Sequence, residues 1–284
     1  MPPREPFGTR VAAAVARTGP LCAGIDPSAA LLGAWGLPDD AGGLASFAGR
    51  CVEAFAGTVP VVKPQLAYFE RHGAAGLAAL EHLLAAAADA GLLVIADAKR
   101  GDTDSTSAAY ADAWLGEGSP LAADAVTAHA YLGLGALAPM VAAARRTGRG
   151  VLVVARSSNP EGLALQAAVG PGGRAVGDLV LDGVAACNRE EGLAVGSVGA
   201  VVGATLAPTD GLPGQLAAVG GVLLAPGLGA QGASVADVGA LFGACRPGTV
   251  LPSVSRSVLA AGPDPAALRQ AAAQVRDELS AVLA

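Results

Sequence analysis

The segment Leu92–Asp104 has the sequence LLVIADAKRGDTD, in which an uninterrupted apolar run leads directly into five charged residues. The apolar half has no polar face, which is typical of a strand in a parallel sheet that helices cover on both sides. Asp97 and Lys99 are two residues apart, so on a strand both side chains point to the same face. Because burying charge is costly unless it is paired, we expect these two groups to form a rigid charged array.

Seven further apolar segments of this kind occur along the chain, with alanine-rich stretches between them. The predicted strands are Leu21–Asp26, Val59–Gln65, Leu92–Lys99, Ala123–His129, Val151–Ser157, Val198–Thr205, Gly221–Pro226 and Thr249–Ser255. The predicted helices include Ser46–Ala56, Ala74–Ala90, Ser105–Leu115, Leu134–Arg145 and Gly177–Glu190. Eight such units in roughly 250 residues predict an α/β fold, a (β/α)8 TIM barrel forming a single domain over residues 1–284. A doubly wound open sheet has the same local pattern, but no GxGxxG turn opens the first helix and the chain has no P-loop.

The composition excludes several classes of protein. The 284 residues are 52% hydrophobic and 15% charged, which excludes a disordered chain. The net charge of −6 argues against a nucleic acid or an anionic membrane surface as partner, because either requires a basic field. The longest uncharged run, 211–236, contains prolines and many glycines, so we expect turns around a short strand and no membrane span.

Two features of the sequence predict a cytoplasmic location. The first ten residues carry charge and proline but no apolar core, so we expect no secretory signal. The four cysteines, Cys22, Cys51, Cys187 and Cys245, are widely spaced and form no CxxC pair. We therefore expect buried free thiols in a reducing compartment, with neither disulfides nor a zinc site.

A Gly/Pro-rich segment around 158–176 interrupts the alternation of strands and helices and has no clear periodicity. It is interpreted either as a passive surface insertion or as a lid that becomes ordered over a ligand.

The lysines give the sharpest indication of chemistry. All but two of the 18 basic residues are arginine, and the two lysines, Lys63 and Lys99, both stand at the carboxyl ends of apolar strands. Arginine does not readily release a proton, so these two positions indicate a need for a compact, titratable ammonium group. In a barrel, this end of the strands is the mouth where active sites lie. His129 also ends an apolar strand, and we expect it to be a core residue that takes no part in catalysis.

Five motifs occur in the order and spacing of one enzyme family. They are Asp97-x-Lys99-x-x-Asp102 with Lys63 on the preceding strand, Leu21-Cys-Ala-Gly-Ile-Asp26-Pro, Lys63-Pro-Gln-Leu-Ala-Tyr-Phe-Glu70, Pro226-Gly-Leu-Gly-Ala-Gln231-Gly and Ser255-Arg256-Ser. On these motifs the sequence resembles the orotidine 5′-phosphate decarboxylases over nearly the whole chain. Lys99-Arg-Gly-Asp and Ser157-Ser-Asn-Pro160 resemble the longer-chain bacterial branch of that family.

The resemblance implies a role for each matching residue. The implied catalytic residues are Lys63, Asp97, Lys99 and Asp102, and the implied substrate-binding residues are Asp26, Thr106, Ser158, Gln231 and Arg256. It also implies a homodimer in which Asp102 and Thr106 reach the pocket of the neighbouring subunit. Asp26 and Thr106 would contact the ribose, Ser158 the pyrimidine edge, and Gln231 and Arg256 the phosphate.

The implied reaction converts orotidine 5′-phosphate to UMP in de novo pyrimidine biosynthesis, with no metal and no cofactor. Lys99 would donate the proton to ring carbon 6, where a carbanion-like centre forms. The chain departs from the family pattern at Thr103, where isoleucine is usual, and at Asp104, where glycine or proline is usual. Neither change affects a proton donor, so we expect altered efficiency at most.

Three alternatives remain open. A related sugar-phosphate barrel could act as a magnesium-dependent aldolase or β-keto acid decarboxylase, although Lys63 occupies the position of an acidic metal ligand in those relatives. Lys63 or Lys99 could form a Schiff base as in a different class of aldolase, although flanking carboxylates raise an amine pKa and so disfavour it. A barrel that binds a phosphate ligand without turnover has the same fold.

Overall fold

Eight parallel strands close into a barrel in the computed structural model, which describes residues 4–209 and 211–283. The strands are β1 (Cys22–Ile25), β2 (Val61–Pro64), β3 (Leu93–Arg100), β4 (Ala125–His129), β5 (Gly150–Arg156), β6 (Gly196–Val202), β7 (Gly221–Pro226) and β8 (Val250–Val254). Each strand pairs with its neighbours in chain order, and β8 pairs with β1 to complete the ring. The predicted single-domain (β/α)8 barrel is confirmed, and each predicted strand corresponds to an observed one.

Helices fill the connections between the strands. They are α1 (Phe7–Thr18), α2 (Ala29–Ala34), α3 (Ala41–Phe55), α4 (Ala67–Glu70), α5 (Gly73–Asp89), α6 (Asp104–Leu115), α7 (Ala138–Thr147), α8 (Leu163–Gln166), α9 (Val176–Glu191), α10 (Leu212–Ala217), α11 (Val235–Phe242), α12 (Arg256–Leu259) and α13 (Pro265–Ser280). The predicted helix Leu134–Arg145 is divided, because its first four residues form a 3₁₀ turn before α7 begins.

Local sequence fixes where several helices begin. The Asp40 carboxylate accepts a hydrogen bond of 2.8 Å from the Gly43 N–H and so caps α3. Ser234 and Asp237 form a reciprocal capping box at the start of α11. Such side chains replace the partners that the first N–H groups of a helix lack, and each contributes about 1 kcal/mol.

Two apolar layers hold the barrel together. One lies between the strands and the surrounding helices, and the other fills the barrel interior with residues such as Ile95, Leu152 and Leu251. Helix α1 lies across the amino-terminal end, where its Phe7 packs against Gly150 so closely that a Cβ there would come within 2.3 Å of the ring. The strands are therefore apolar on both faces because each face meets a separate core.

The segment 158–176 forms short helical pieces, Pro160–Gly162, α8 and Pro171–Gly173, before α9 begins. The side chain of Gln166 joins it to the end of β5, accepting a hydrogen bond of 2.9 Å from the Ser157 N–H and donating one of 2.8 Å to the Ser157 hydroxyl. Its role as a lid stays a prediction.

Among the residues that the structure describes, no helix combines the length and the apolar character that crossing a bilayer requires.

Candidate active site

A cavity of about 270 Å³ opens at the carboxyl ends of the strands. Seven of the nine predicted site residues line it: Asp26, Lys63, Asp97, Lys99, Ser158, Gln231 and Arg256. Asp102 and Thr106 do not line the cavity of their own chain. The seven residues come from six different strand ends, which converge because all parallel strands of a barrel end at the same mouth.

Asp97 is the centre of the charged cluster. Its Oδ2 lies 2.8 Å from the Lys63 ammonium, and its Oδ1 lies 2.6 Å from the Lys99 ammonium. All three line the cavity, but Asp97 and Lys63 are each only 7% exposed, whereas the Lys99 side chain is 42% exposed. One carboxylate therefore holds two ammonium groups, so this part of the cluster carries net positive charge.

The ionised forms of the buried pair are strongly favoured. Burial alone would lower the pKa of Lys63, but the nearby carboxylates of Asp97 and Asp26 outweigh it and raise that pKa well above its usual value. Burial alone would raise the pKa of Asp97, but the charges of Lys63 and Lys99 and their hydrogen bonds hold it far below the usual range. Both groups are charged at neutral pH.

The backbone at Lys99 is strained. Its φ of 48° lies in the left-handed region, which costs a residue with a Cβ about 1 to 3 kcal/mol. At the same point the pairing of β3 with β4 shifts register between Ala96 and Arg100. The strained residue and the register shift therefore coincide at the charged cluster, where the Lys99 ammonium lies 2.6 Å from Asp97 Oδ1.

Two neutral donors complete the environment of Asp97, and neither role was predicted from the sequence. The Gln65 amide donates to Oδ2 at 2.9 Å, and the Thr127 hydroxyl donates to Oδ1 at 2.9 Å. Gln65 belongs to the Lys63 motif, and Thr127 is a single hydroxyl in an otherwise apolar strand. These two features were visible in the sequence. Neither shows that the side chain contacts Asp97 unless the register of β3 against its neighbouring strands is known.

Two buried oxygens in the cavity lining lack a partner. Asp26 Oδ1 and Ser255 Oγ make no hydrogen bond to any residue within 4–209 and 211–283. Asp26 follows β1 and Ser255 follows β8, which are adjacent strands. Since buried polar atoms are normally satisfied, these two indicate a position for a polar ligand group.

The loop after β7 forms another part of the cavity. Gly227 has a φ of 115°, which a residue with a side chain rarely adopts, and its neighbours up to Gln231 line the cavity. The Ser158 hydroxyl donates to Gln231 Oε1 at 2.9 Å, and Arg256 is exposed where α12 begins after β8. Loops after the seventh and eighth strands are the usual phosphate site of such barrels.

Asp102 and Thr106 lie on the loop after β3 and on the first turn of α6. Asp102 Oδ1 accepts a hydrogen bond of 2.8 Å from the Thr103 N–H, and the Thr106 side chain is exposed. The two departures from the family pattern, Thr103 and Asp104, are exposed on the same segment. The chain alone therefore does not bring these predicted residues into its own cavity.

The expectation that His129 is a core residue is wrong, whereas its having no part in catalysis stays a prediction. The side chain is exposed, and it lines a separate apolar groove together with Tyr131 and Leu165. Burial of its inner part and the charge of Lys99 lower its pKa, so the imidazole is neutral at pH 7. The strand ends at His129, and for that reason its side chain leaves the core.

The four cysteines are free. Cys22, Cys51 and Cys245 are buried, as predicted, whereas Cys187 is only half-buried. Burial raises the pKa of Cys22, directly below the charged cluster, to about 12. Within residues 4–209 and 211–283, no three His, Cys, Asp or Glu side chains are close enough together to hold a metal ion.

Comparison with known proteins identifies the family. Residues 19–271 match the model of the orotidine 5′-phosphate decarboxylase / HUMPS family. The orotidine 5′-phosphate decarboxylase of Salinispora arenicola is 54% identical over 98% of this chain and 99% of its own length, and that of Streptomyces coelicolor is 52% identical over 94% and 95%. A Streptomyces avermitilis crystal structure assigned to the same enzyme has a TM-score of 0.92 at 50% identity, covering 99% of this chain and 97% of its own. The chain therefore belongs to the orotidine 5′-phosphate decarboxylase / HUMPS family.

Proposed function

We propose that this chain decarboxylates orotidine 5′-phosphate to UMP in pyrimidine biosynthesis, with Lys99 as the proton donor and without a cofactor. The enzyme is a carboxy-lyase. The observation that carries the mechanism is the buried Asp97 carboxylate that holds two ammonium groups in the cavity lining, of which that of Lys99 is the more exposed.

The reaction breaks the bond between ring carbon 6 and its carboxylate carbon. CO2 leaves, the bonding electron pair stays on carbon 6, and a proton from the Lys99 ammonium then forms the new C–H bond. No delocalising cofactor is available to this carbanion-like centre, so fixed positive charge beside it has to stabilise the transition state. Lys99 supplies that charge and the proton, while Lys63 shares the negative charge of Asp97.

Asp97 has two effects in this mechanism. It keeps the two ammonium groups in place, and its fixed negative charge repels the carboxylate of the bound substrate. We give more weight to charge stabilisation in the transition state, because stress on the ground state alone is a contested source of rate.

The rest of the substrate binds around this centre. We assign the ribose hydroxyls to Asp26, whose Oδ1 is buried without a partner within residues 4–209 and 211–283. We assign the pyrimidine edge to Ser158, and the phosphate to Gln231 and Arg256, whose planar fork matches phosphate oxygens. Binding energy gained at the remote phosphate aligns the ring with Lys99, and the segment 158–176 acts as the lid over it.

A homodimer supplies Asp102 and Thr106 to the neighbouring cavity in this proposal. Its support is that both residues lie outside the cavity of their own chain. The β3–α6 loop also adjoins an exposed apolar surface, because Gly101 packs against the His129 main chain and Tyr131 and Leu132 follow it at 79% and 56% exposure. The four free cysteines support a cytoplasmic location.

The test follows the ultraviolet absorbance that is lost when orotidine 5′-phosphate becomes UMP. We expect turnover by the purified chain, and in Lys99→Ala a loss of kcat of about 10⁴-fold or more, because proton donor and fixed charge disappear together. The matched control is Arg146→Ala, which removes an exposed cation from α7 and should leave kcat unchanged. Titration with UMP checks that Lys99→Ala still binds nucleotide.

Four results would contradict the proposal. A near-normal rate in Lys99→Ala removes its role as proton donor. Loss of activity on adding a chelator favours the magnesium-dependent alternative, and borohydride trapping of a carbonyl substrate favours Schiff-base chemistry. Tight binding of nucleotide without turnover by the wild type indicates a sensor.

A further inference from the structure

The pairing of β3 with β4 leaves a gap in the hydrogen-bond ladder beside the charged cluster. Ala96 lies opposite Val126, and the next pair is Arg100 opposite Ala128. Residues 97–99 of β3 therefore lie opposite Thr127 alone. A bulge of this kind leaves main-chain N–H groups without their usual ladder partners, and a buried N–H needs another acceptor.

The Thr127 side chain supplies that acceptor. Its hydroxyl accepts a hydrogen bond of 2.9 Å from the Lys99 N–H and donates one of 2.9 Å to Asp97 Oδ1. Thr127 is only 1% exposed, so water does not compete for either bond. A hydroxyl has a single proton, and here that proton is directed to the carboxylate because the other partner is itself a donor.

These bonds close a ring around one carboxylate oxygen. Asp97 Oδ1 accepts from the Thr127 hydroxyl and also from the Lys99 ammonium at 2.6 Å. The main chain and the side chain of Lys99 are thus fixed to the same oxygen, one through Thr127 and one directly. The Lys99 side chain is long and partly exposed, so this ring limits the positions that its ammonium can adopt.

We propose that Thr127 is a positioning residue, whose hydroxyl fixes the left-handed backbone of Lys99 to Asp97 and so holds the Lys99 ammonium at the reacting carbon. The inference rests on the proposed function, in which Lys99 donates the proton. Thr127 is buried behind Asp97 and does not line the cavity, so its removal changes the chemical step more than the binding of substrate.

The test compares two substitutions of Thr127 that each change a single group of the side chain. Thr127→Val removes the hydroxyl and keeps the shape, whereas Thr127→Ser keeps the hydroxyl and loses one methyl group. We expect Thr127→Val to lower kcat about 10- to 100-fold, because small misplacement of a catalytic group is costly, with KM within about threefold of wild type. Thr127→Ser should retain kcat within about threefold.

The matched control is Thr147→Val, which removes a buried hydroxyl that bonds to the Ala143 carbonyl in α7, outside the site. It should leave kcat and KM unchanged. A wild-type kcat in Thr127→Val overturns the proposal. A kcat in Thr127→Ser as low as that in Thr127→Val overturns it too. Either result means that Thr127 acts through packing and not through its hydroxyl. A loss confined to KM overturns it too.

A second measurement is independent of turnover. Hydrogen exchange of the Lys99 amide, followed by NMR, should be faster in Thr127→Val and unchanged in Thr127→Ser. Equal protection of the Lys99 amide in both variants overturns the proposal, whether or not the wild type decarboxylates its substrate. A wild type without decarboxylase activity contradicts the proposed function instead, and the exchange measurement still tests the role of Thr127. If Thr127→Val does not fold, Thr127→Ala against Thr127→Ser provides the same comparison.

Discussion

Two buried aspartates stand at opposite ends of the barrel, and their partners differ in kind. Asp97, at the mouth, holds Lys63 and Lys99 beside an open cavity. Asp124, at the base, accepts from the Arg10 guanidinium at 2.5 Å, from Arg4 and from the Val94 N–H at 2.8 Å.

The difference lies in what each carboxylate fixes. At the base, the Arg10 guanidinium attaches helix α1 to Asp124, just before β4, and it also donates to the Gly148 carbonyl at 2.9 Å. Arginine does not release its proton, so this cluster can only bind and hold. At the mouth, lysines occupy the corresponding role, and both line the cavity, with Lys99 the more exposed and carrying a transferable proton. Burial and ion pairing alone therefore do not mark an active site.

Of the changes that compare the two aspartates, removing the charge of Asp97 should have the largest effect. In Asp97→Asn, the Lys63 and Lys99 ammonium groups face each other without a carboxylate between them, so we expect kcat to fall by about 10³-fold or more. Initial rates from ultraviolet absorbance measure it, and circular dichroism with UMP titration checks that the fold and the phosphate end persist. Retention of more than a tenth of the wild-type kcat contradicts this role.

The matching change at the base should affect stability and leave the chemistry intact. Asp124→Asn leaves the guanidinium of Arg10 partly buried without its carboxylate, and we expect the free energy of unfolding to fall by about 2 to 4 kcal/mol. Denaturant titration measures the loss, while kcat at 25 °C should stay within about twofold of wild type. If kcat fell as far as in Asp97→Asn, the distinction between the two ends would be lost.

The pH dependence of stability should be a smaller effect, and it tests the charged cluster around Asp97. The pKa of Asp97 is depressed in the folded chain, so its contribution to stability is complete above the unfolded pKa of about 3.9. That contribution is lost as the pH falls from there through the folded value. We expect the difference in unfolding free energy between wild type and Asp97→Asn to shrink below about pH 4.

Thermal or denaturant unfolding from pH 3 to pH 7 measures this difference. A difference that stays constant, or grows as the pH falls, contradicts the depressed pKa.

The order of the strands could be read from the sequence, and so could the last residues of β4 and β7, but the ends of several other strands could not. The predicted strands include Asp26, Gln65 and Ser255, which lie just beyond the observed ends. In the sequence, a predicted strand runs up to the first charged or polar side chain. In the structure, the hydrogen bonds between strands end earlier, where the chain turns into a loop at the mouth of the barrel. Those same residues line the cavity, so the errors at the strand ends fall on the site itself.

The charged cluster could be predicted in part. Lys63, Asp97 and Lys99 were detectable because charge at the end of an apolar strand is costly without a partner and because the chain has only two lysines. Thr127 could not be detected, since a hydroxyl in a strand is common and its role depends on a register shift. We propose that Asp102 and Thr106 reach the cavity of another subunit, so no contact within a single chain shows their role.

The sequence by itself determined the alternation that makes a barrel and the kinds of group that meet at its mouth, because apolar periodicity and the scarcity of lysine are properties of the chain alone. Only the tertiary structure decided which oxygen of Asp97 each donor reaches, and that His129 leaves the core. Those outcomes depend on strand register and on closure of the ring, which bring together residues that are 28 to 34 positions apart in the chain.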